Sequence, residues 1–275
     1  MLKNKKVAFI GAGSMAEAMI AGMVATGTLD PGQLIVTNRS NLERRQEITQ
    51  SYGVHTCCLD DPAAMSADII ILAVKPKDAE CVLDALHGRI KEDQLVMSVL
   101  AGISTQFIED RLGSRQPVVR VMPNTSSMVG ESATAIARGQ YVTDEQLVMA
   151  EQLLTSIGNV TVIDEEQMSI FTGIAGSGPA YVYYLVEHME KAGQEGGLDA
   201  ATAREIAVQT IYGASKMLLE TEEDPATLRE NVTSPNGTTA AGLEALEKYG
   251  GGEAIEAAIK HAAQRSDEIS AQYER

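Results

Sequence analysis

Apolar residues fall into short blocks along the first part of the chain and into helical periods along the rest. Residues 6–10, 33–37, 67–74, 94–99 and 117–122 are brief, mostly apolar runs, the pattern of strands buried on both faces of a parallel sheet. Runs 53–56, 132–137 and 159–163 add three more strands. Between them, residues 14–27, 41–51, 77–86, 104–112 and 144–156 read as helices, with Ser104 placed to cap its own. Strands alternating with helices at this spacing predict an α/β fold, a doubly wound parallel sheet.

Past residue 164 the strand pattern stops. Residues 176–193, 199–220, 225–231, 238–249 and 253–273 all read as helices, with Asp199 as an N-cap and Leu198 at the staple position before it. The change of character places a domain boundary there, giving an α/β domain over 1–164 and an all-helical domain over 165–275. Residues 206–219 are apolar around much of the helix circumference, with Ala207, Gly213, Ala214 and Ser215 among the small ones. A helical domain of this size could hardly bury such a segment alone, so a bundle formed between subunits is expected.

Between the first apolar run and the first helix stands Gly11-Ala12-Gly13-Ser14-Met15-Ala16. This is the G-x-G-x-x-A opening of a Rossmann-type dinucleotide-binding unit. Gly11 allows the tight turn, Gly13 lets the backbone approach a pyrophosphate at the helix N-terminus, and Ala16 permits close helix–strand packing. The strand before it and the helix after it meet the context that this short pattern requires.

Composition narrows the partners. The 38 Asp and Glu against 22 Lys and Arg give a net charge of −16, which argues against nucleic acid and anionic membrane surfaces. An anionic ligand must therefore be held by local devices. Cys57, Cys58 and Cys81 lack metal-like spacing and are expected to be reduced thiols, with no metal. No signal-like segment precedes the first strand and no run is long enough to span a bilayer, so a cytoplasmic location is expected.

The residue ending the second strand of such a unit meets the adenosine ribose. An acid there receives the 2′-hydroxyl of NAD, whereas Arg with small polar neighbours accommodates the 2′-phosphate of NADP. Asn38-Arg39-Ser40 stands at this point, with no carboxylate until Glu43. NADP(H) is favoured, with NAD(H) as the alternative. Ala73-Val74-Lys75-Pro76, Ser98-Val99-Leu100-Ala101-Gly102 and Arg120-Val121-Met122-Pro123-Asn124-Thr125 end strands four to six, where ligands bind in open α/β sheets. Their small and apolar residues can wall a nicotinamide ring. Lys75 suits a catalytic acid, a phosphate contact or a surface residue equally.

Two loops in the helical half are rich in glycine and hydroxyl groups. Thr172-Gly173-Ile174-Ala175-Gly176-Ser177-Gly178-Pro179 runs into one helix, and Val232-Thr233-Ser234-Pro235-Asn236-Gly237-Thr238-Thr239 into another. Each offers backbone N–H groups as a seat for a carboxylate without any basic side chain.

On these residues the chain resembles pyrroline-5-carboxylate reductase along essentially its whole length. Segments 11–16, 73–76, 122–125, 173–181 and 232–239 carry the likeness, and the last two together are specific. The resemblance implies NAD(P)H-dependent reduction of 1-pyrroline-5-carboxylate to L-proline, the last step of proline biosynthesis. It implies an N-terminal Rossmann domain and a helical domain that interlocks with its copy in a homodimer, often assembled into a decamer. Matched position by position, the family's cofactor contacts fall on Gly11, Ala12, Gly13, Ser14, Met15 and Ala16, on Asn38, Arg39 and Ser40, and on Ala73, Val74, Lys75 and Pro76. Leu100, Ala101, Glu165 and Asn231 complete that set. The substrate carboxylate falls on Ser234, Pro235, Asn236, Gly237, Thr238 and Thr239, with Glu222 near the substrate. Thr172 matches the hydroxyl near the imine nitrogen and, with Thr239, is the expected catalytic residue. Ala175, Ser126 and Asn236 depart from the family's usual Ser, Pro and Gly.

Overall fold

The computed structural model describes residues 1–113 and 115–273. The chain packs as two compact units, one holding Met1–Ser177 with His261–Arg275, the other Gly178–Lys260. In the first unit, β1 (Val7–Ile10), α1 (Ser14–Ala25), β2 (Leu34–Thr37), α2 (Leu42–Tyr52) and β3 (His55–Cys57) follow in order. Next come α3 (Pro62–Met65), β4 (Ile69–Leu72), α4 (Ala79–Leu86), β5 (Leu95–Ser98), α5 (Thr105–Leu112) and β6 (Val118–Met122). The unit continues through β7 (Ser132–Arg138), α6 (Asp144–Leu154), β8 (Gly158–Val162) and the short α7 (Met168–Phe171).

These strands form one eight-stranded sheet in the order β3-β2-β1-β4-β5-β6-β7-β8. The direction of winding reverses between β1 and β4, which pair in parallel with Ile10 beside Leu72. Side chains alternate between the two faces. Phe9, Ile69, Ile71 and Met97 pack with Met19, Ile20 and Leu153 on one side, while Ile10, Ile70, Leu72 and Val96 pack with Leu83, Leu86 and Ile108 on the other. Both faces are covered, which is why the central strands read as continuous apolar runs. Ser104 caps α5 as expected, accepting from the Phe107 N–H at 3.2 Å.

The sheet is not wholly parallel, as the alternation predicted. β7 runs antiparallel to β6, with Val121 opposite Ile136. The chain between them holds only a 3₁₀ turn at Thr125–Val129. That is too little for the crossover a parallel neighbour requires.

The second unit holds α8 (Gly178–Glu195), α9 (Ala200–Thr221), α10 (Pro225–Asn231), α11 (Thr238–Lys248) and the first half of α12 (Gly251–Ser270). Asp199 caps α9 by accepting from the Ala201 and Thr202 N–H groups, each at 3.0 Å. Along α9, Ile206, Val208, Tyr212, Met217 and Leu219 remain exposed in the single chain. Composition changes at residue 164, yet the packing divides later. Residues 165–177 stay with the sheet, and the chain rejoins that unit at His261.

Candidate active site

At the carboxyl ends of β1, β2 and β4 lies a cleft of about 790 Å³. Gly11, Ala12, Gly13, Asn38, Arg39, Ala73, Val74 and Lys75 line it. Gly11 has φ of +116°, and a Cβ there would stand 2.4 Å from the Ala73 carbonyl oxygen. No side chain fits between the two strand ends. Gly13 caps α1 with no side-chain hydrogen bond, so the first-turn N–H groups of Ser14 and Met15 are left to a ligand. Nothing lies within 4 Å of the place where a Gly13 Cβ would project. Ala16 is fully buried under the turn. These features fit the pyrophosphate of a dinucleotide.

Two arginines near this turn divide the work. Arg44, at the start of α2, donates through Nε to the Ala12 carbonyl at 2.9 Å and through its guanidinium to Glu17 and Glu47. Tyr52 donates to Glu17 from the other side at 3.1 Å. The hydrogen bond to Glu17 raises the Arg44 pKa above its usual value, so this cation is committed to holding the turn. Arg39 lies exposed on the cleft wall and carries no ion pair among the described residues. Beside it, Asn38 Oδ1 accepts from the Ser40 and Asn41 N–H groups at 3.3 and 2.9 Å, shaping the turn that presents Arg39. The sequence motifs gave no sign of Arg44. Its signal was the Asn41 cap, which starts α2 where its third residue can reach back to the glycine turn.

Lys75 is exposed, and Pro76 opens a 3₁₀ turn after it. Leu100 is buried while Ala101 is exposed, in the loop that follows β5. Glu165 accepts from the Thr105 N–H at 2.9 Å, from Thr105 Oγ1 at 2.5 Å and from Arg120 at 3.1 Å. Its carboxylate is engaged within the protein and ties that loop to the segment after β8. Cys58 and Cys81 are exposed on the cleft wall. His55, Cys57 and Asp61 bring ligand-type atoms within 4.8 Å of one another. Burial pushes the Cys57 thiol up to about 11, and Asp61 already accepts from the Ala63 N–H at 2.9 Å to begin α3. Strand-end packing and helix capping account for this group.

The loop at 172–176 is not the open anion seat that its glycines suggested. Thr172–Gly176 is a single π-helical turn, closed by the Ser177 N–H donating to the Thr172 carbonyl at 2.9 Å. Its N–H groups serve the helix rather than a ligand. Thr172 Oγ1 donates to the Met168 carbonyl at 2.7 Å. Gly176 lies under it, with a hypothetical Cβ 3.2 Å from Thr172 Cγ2.

The second loop is a tight turn that leads into α11. Ser234-Pro235-Asn236-Gly237 is a turn closed by the Gly237 N–H on the Ser234 carbonyl at 3.0 Å. Asn236 has φ of +60°. A type II turn needs positive φ at this third position, and Asn accepts it. Gly237 caps α11 without a side-chain bond, so no capping side chain takes the first-turn N–H groups at Thr238 and Thr239. Glu222, at the end of α9, is another left-handed residue, with φ of +54°. Asn231 ends α10 and is exposed. Glu222, Asn231 and 234–239 all belong to the helical unit, whereas Thr172 belongs to the sheet-bearing one.

A doubly wound sheet with a glycine turn at its switch point, followed by a helical unit, defines a nicotinamide-dependent oxidoreductase. The NADP oxidoreductase, coenzyme F420-dependent, family matches residues 6–102, and the pyrroline-5-carboxylate reductase dimerisation family matches 165–269. A pyrroline-5-carboxylate reductase 1 of Bacillus spizizenii is 59% identical over 97% of this chain and 90% of its own length. The chain belongs to the pyrroline-5-carboxylate reductase family. Among solved structures, that of the Coxiella burnetii enzyme has a TM-score of 0.92 at 36% identity, covering 98% of this chain and 99% of its own. The Plasmodium falciparum pyrroline carboxylate reductase, solved with NADP bound, has a TM-score of 0.86 at 29% identity, with coverages of 98% and 99%.

Proposed function

We propose that the protein reduces the C=N bond of 1-pyrroline-5-carboxylate with NAD(P)H, giving L-proline. The observation that carries this reading is the built dinucleotide turn in a chain whose remainder matches the reductase dimerisation family. Bound NADPH supplies a hydride. NADPH is preferred over NADH, because Arg39 stands uncommitted where NAD-binding units place an acid. Gly11 to Ala16 hold the pyrophosphate, Asn38 to Ser40 the 2′-phosphate, and Ala73 to Pro76 with Leu100 and Ala101 wall the site. Asn231 is taken as a further cofactor contact.

The substrate carboxylate sits on the N-terminus of α11, at Ser234, Pro235, Asn236, Gly237, Thr238 and Thr239, a helix entry with three hydroxyl side chains, no basic residue and no side-chain cap. Glu222 lies at the same substrate site. Thr172 contacts the imine nitrogen. A protonated pyrroline is already electrophilic, so the protein's main task is to hold the ring in place and exclude misoriented binding. The exposed apolar side chains of α9 support a homodimer formed through the helical unit. The same reading makes the protein a cytoplasmic enzyme that assembles further into a decamer, with no nucleic-acid or membrane partner. No helix of the described residues is long and apolar enough to cross a membrane.

The test is NADPH oxidation followed by absorbance with pyrroline-5-carboxylate supplied. Turnover is expected with this imine. Reduction of NADP⁺ by a β-hydroxy acid, with no NADPH oxidation on the imine, would overturn the assignment.

A further inference from the structure

The Asn124 side chain, 9% exposed, uses both of its ends inside the protein. Its Oδ1 accepts from the Ser126 N–H at 3.0 Å, which shapes the turn after β6. Its Nδ2 donates to the Ala175 carbonyl at 3.0 Å, 51 residues further along the chain. That carbonyl has a particular need. In a regular helix it would accept from the residue four positions on, which is Pro179 and has no N–H. Ala175 is itself buried, and a buried carbonyl without a partner is costly. Asn124 supplies the missing donor. It does so at the π turn, whose wide i→i+5 closure is the local departure that sets where Thr172 faces.

Thr172 is held at three points within this turn. Its carbonyl accepts from Ser177, its Cγ2 rests over Gly176, and its hydroxyl proton goes to the Met168 carbonyl. With that proton committed, Thr172 Oγ1 is left as an acceptor. An acceptor pairs with the N–H of a protonated imine and not with the bare lone pair of a neutral one.

We propose that Asn124 is a positioning residue that locks the π turn through Ala175, so that Thr172 meets the protonated imine as a hydrogen-bond acceptor. This rests on the assignment of Thr172 to the imine nitrogen. The experiment is a double-mutant cycle of Asn124→Ala and Thr172→Ala, with kcat, KM, NADPH binding and Tm measured for each variant. Thr172→Ala should lower kcat about tenfold to a hundredfold, the range for a hydrogen bond to a charged group. Asn124→Ala should lower kcat about tenfold with NADPH affinity unchanged, and the double variant should be no slower than Thr172→Ala alone. Additive losses would overturn the role of Asn124 while leaving the reaction assigned. Full activity in Thr172→Ala would remove Thr172 from the imine and the inference with it. A wild-type enzyme inactive on the imine would defeat the functional reading itself. Should Asn124→Ala fail to fold, Asn124→Asp keeps an acceptor for Ser126 and sets a carboxylate oxygen in place of the donor to Ala175, and the same non-additivity is expected.

Discussion

Arg44 Nε donates to the carbonyl of Ala12 at 2.9 Å, so a side chain from the second helix fastens the middle of the glycine turn. Arg39, five residues earlier, faces the cleft instead. Arg39→Ala should weaken NADPH about tenfold to a hundredfold and leave NADH affinity nearly unchanged, in keeping with loss of one charge-assisted contact. Arg44→Ala should weaken both cofactors alike and lower Tm, because it loosens the turn that both use. Binding titrations with the two nucleotides check this, and equal losses in Arg39→Ala would move the phosphate contact elsewhere.

The three thiols should separate by reactivity. Cys58 and Cys81 are exposed on the cleft wall, while burial holds the Cys57 thiol near 11. At pH 8 a disulfide reagent should label two thiols quickly and the third only on unfolding. Saturating NADP⁺ should slow both fast reactions. Undiminished labelling of Cys58 and Cys81 in its presence would place the cofactor outside this cleft.

Asn236 occupies a backbone region that β-branched residues avoid. Asn236→Gly should leave KM for the imine within about twofold, since glycine accepts positive φ at least as well. Asn236→Val should raise KM by distorting the turn, and Thr239→Ala should raise it by removing a hydroxyl from the carboxylate seat. Steady-state kinetics at saturating NADPH distinguish these effects, and an unchanged KM in Thr239→Ala would release that residue from the seat.

Asp68 couples stability to pH. Burial alone would raise its pKa, but the Lys5 ammonium at 2.8 Å and the Lys6 N–H at 2.9 Å outweigh that and hold it below the usual carboxylate value. The folded pKa lies below the unfolded one, so the contribution is present above about pH 4 and is lost as pH falls through the folded value. The pair is more than one-third exposed, which limits its worth to about 1 kcal/mol or less. Denaturant melts of Asp68→Asn should show that deficit at pH 7 and a smaller one near pH 3.

The strands, the glycine turn and the helix entry at 232–239 were legible because each is a local pattern. Val7 to Ile10, Ile69 to Leu72 and Leu95 to Ser98 are buried on both faces, so their apolar runs carry the sheet directly. Ser234 to Gly237 has turn chemistry contained in four residues. What could not be read depends on partners distant in sequence. Glu165 gives no sign of Thr105 and Arg120, which lie 60 and 45 residues away. Asn124 gives none of Ala175. The glycines at 173 and 176 suggest an open loop because glycine disfavours helix, yet here one of them makes room for Thr172 within a π turn. The antiparallel β7 was hidden for a different reason. Its direction follows from the short connection after β6, and its apolar pattern carries no direction.

The Glu165 network also bears on how the molecule opens. Thr105, Arg120 and Glu165 bind the segment after β8 to the sheet by three hydrogen bonds, with Arg120 only 5% exposed. Residues 165–177 therefore share the fate of the sheet in any partial unfolding, although their composition matches the helices that follow. Amide hydrogens of α7 and the π turn should exchange with the slow set of β5 and β6, and not with those of α10 and α11. The Met168 carbonyl that accepts from the Thr172 hydroxyl lies in that slow set, so the orientation of this hydroxyl would outlast local opening of α10 and α11.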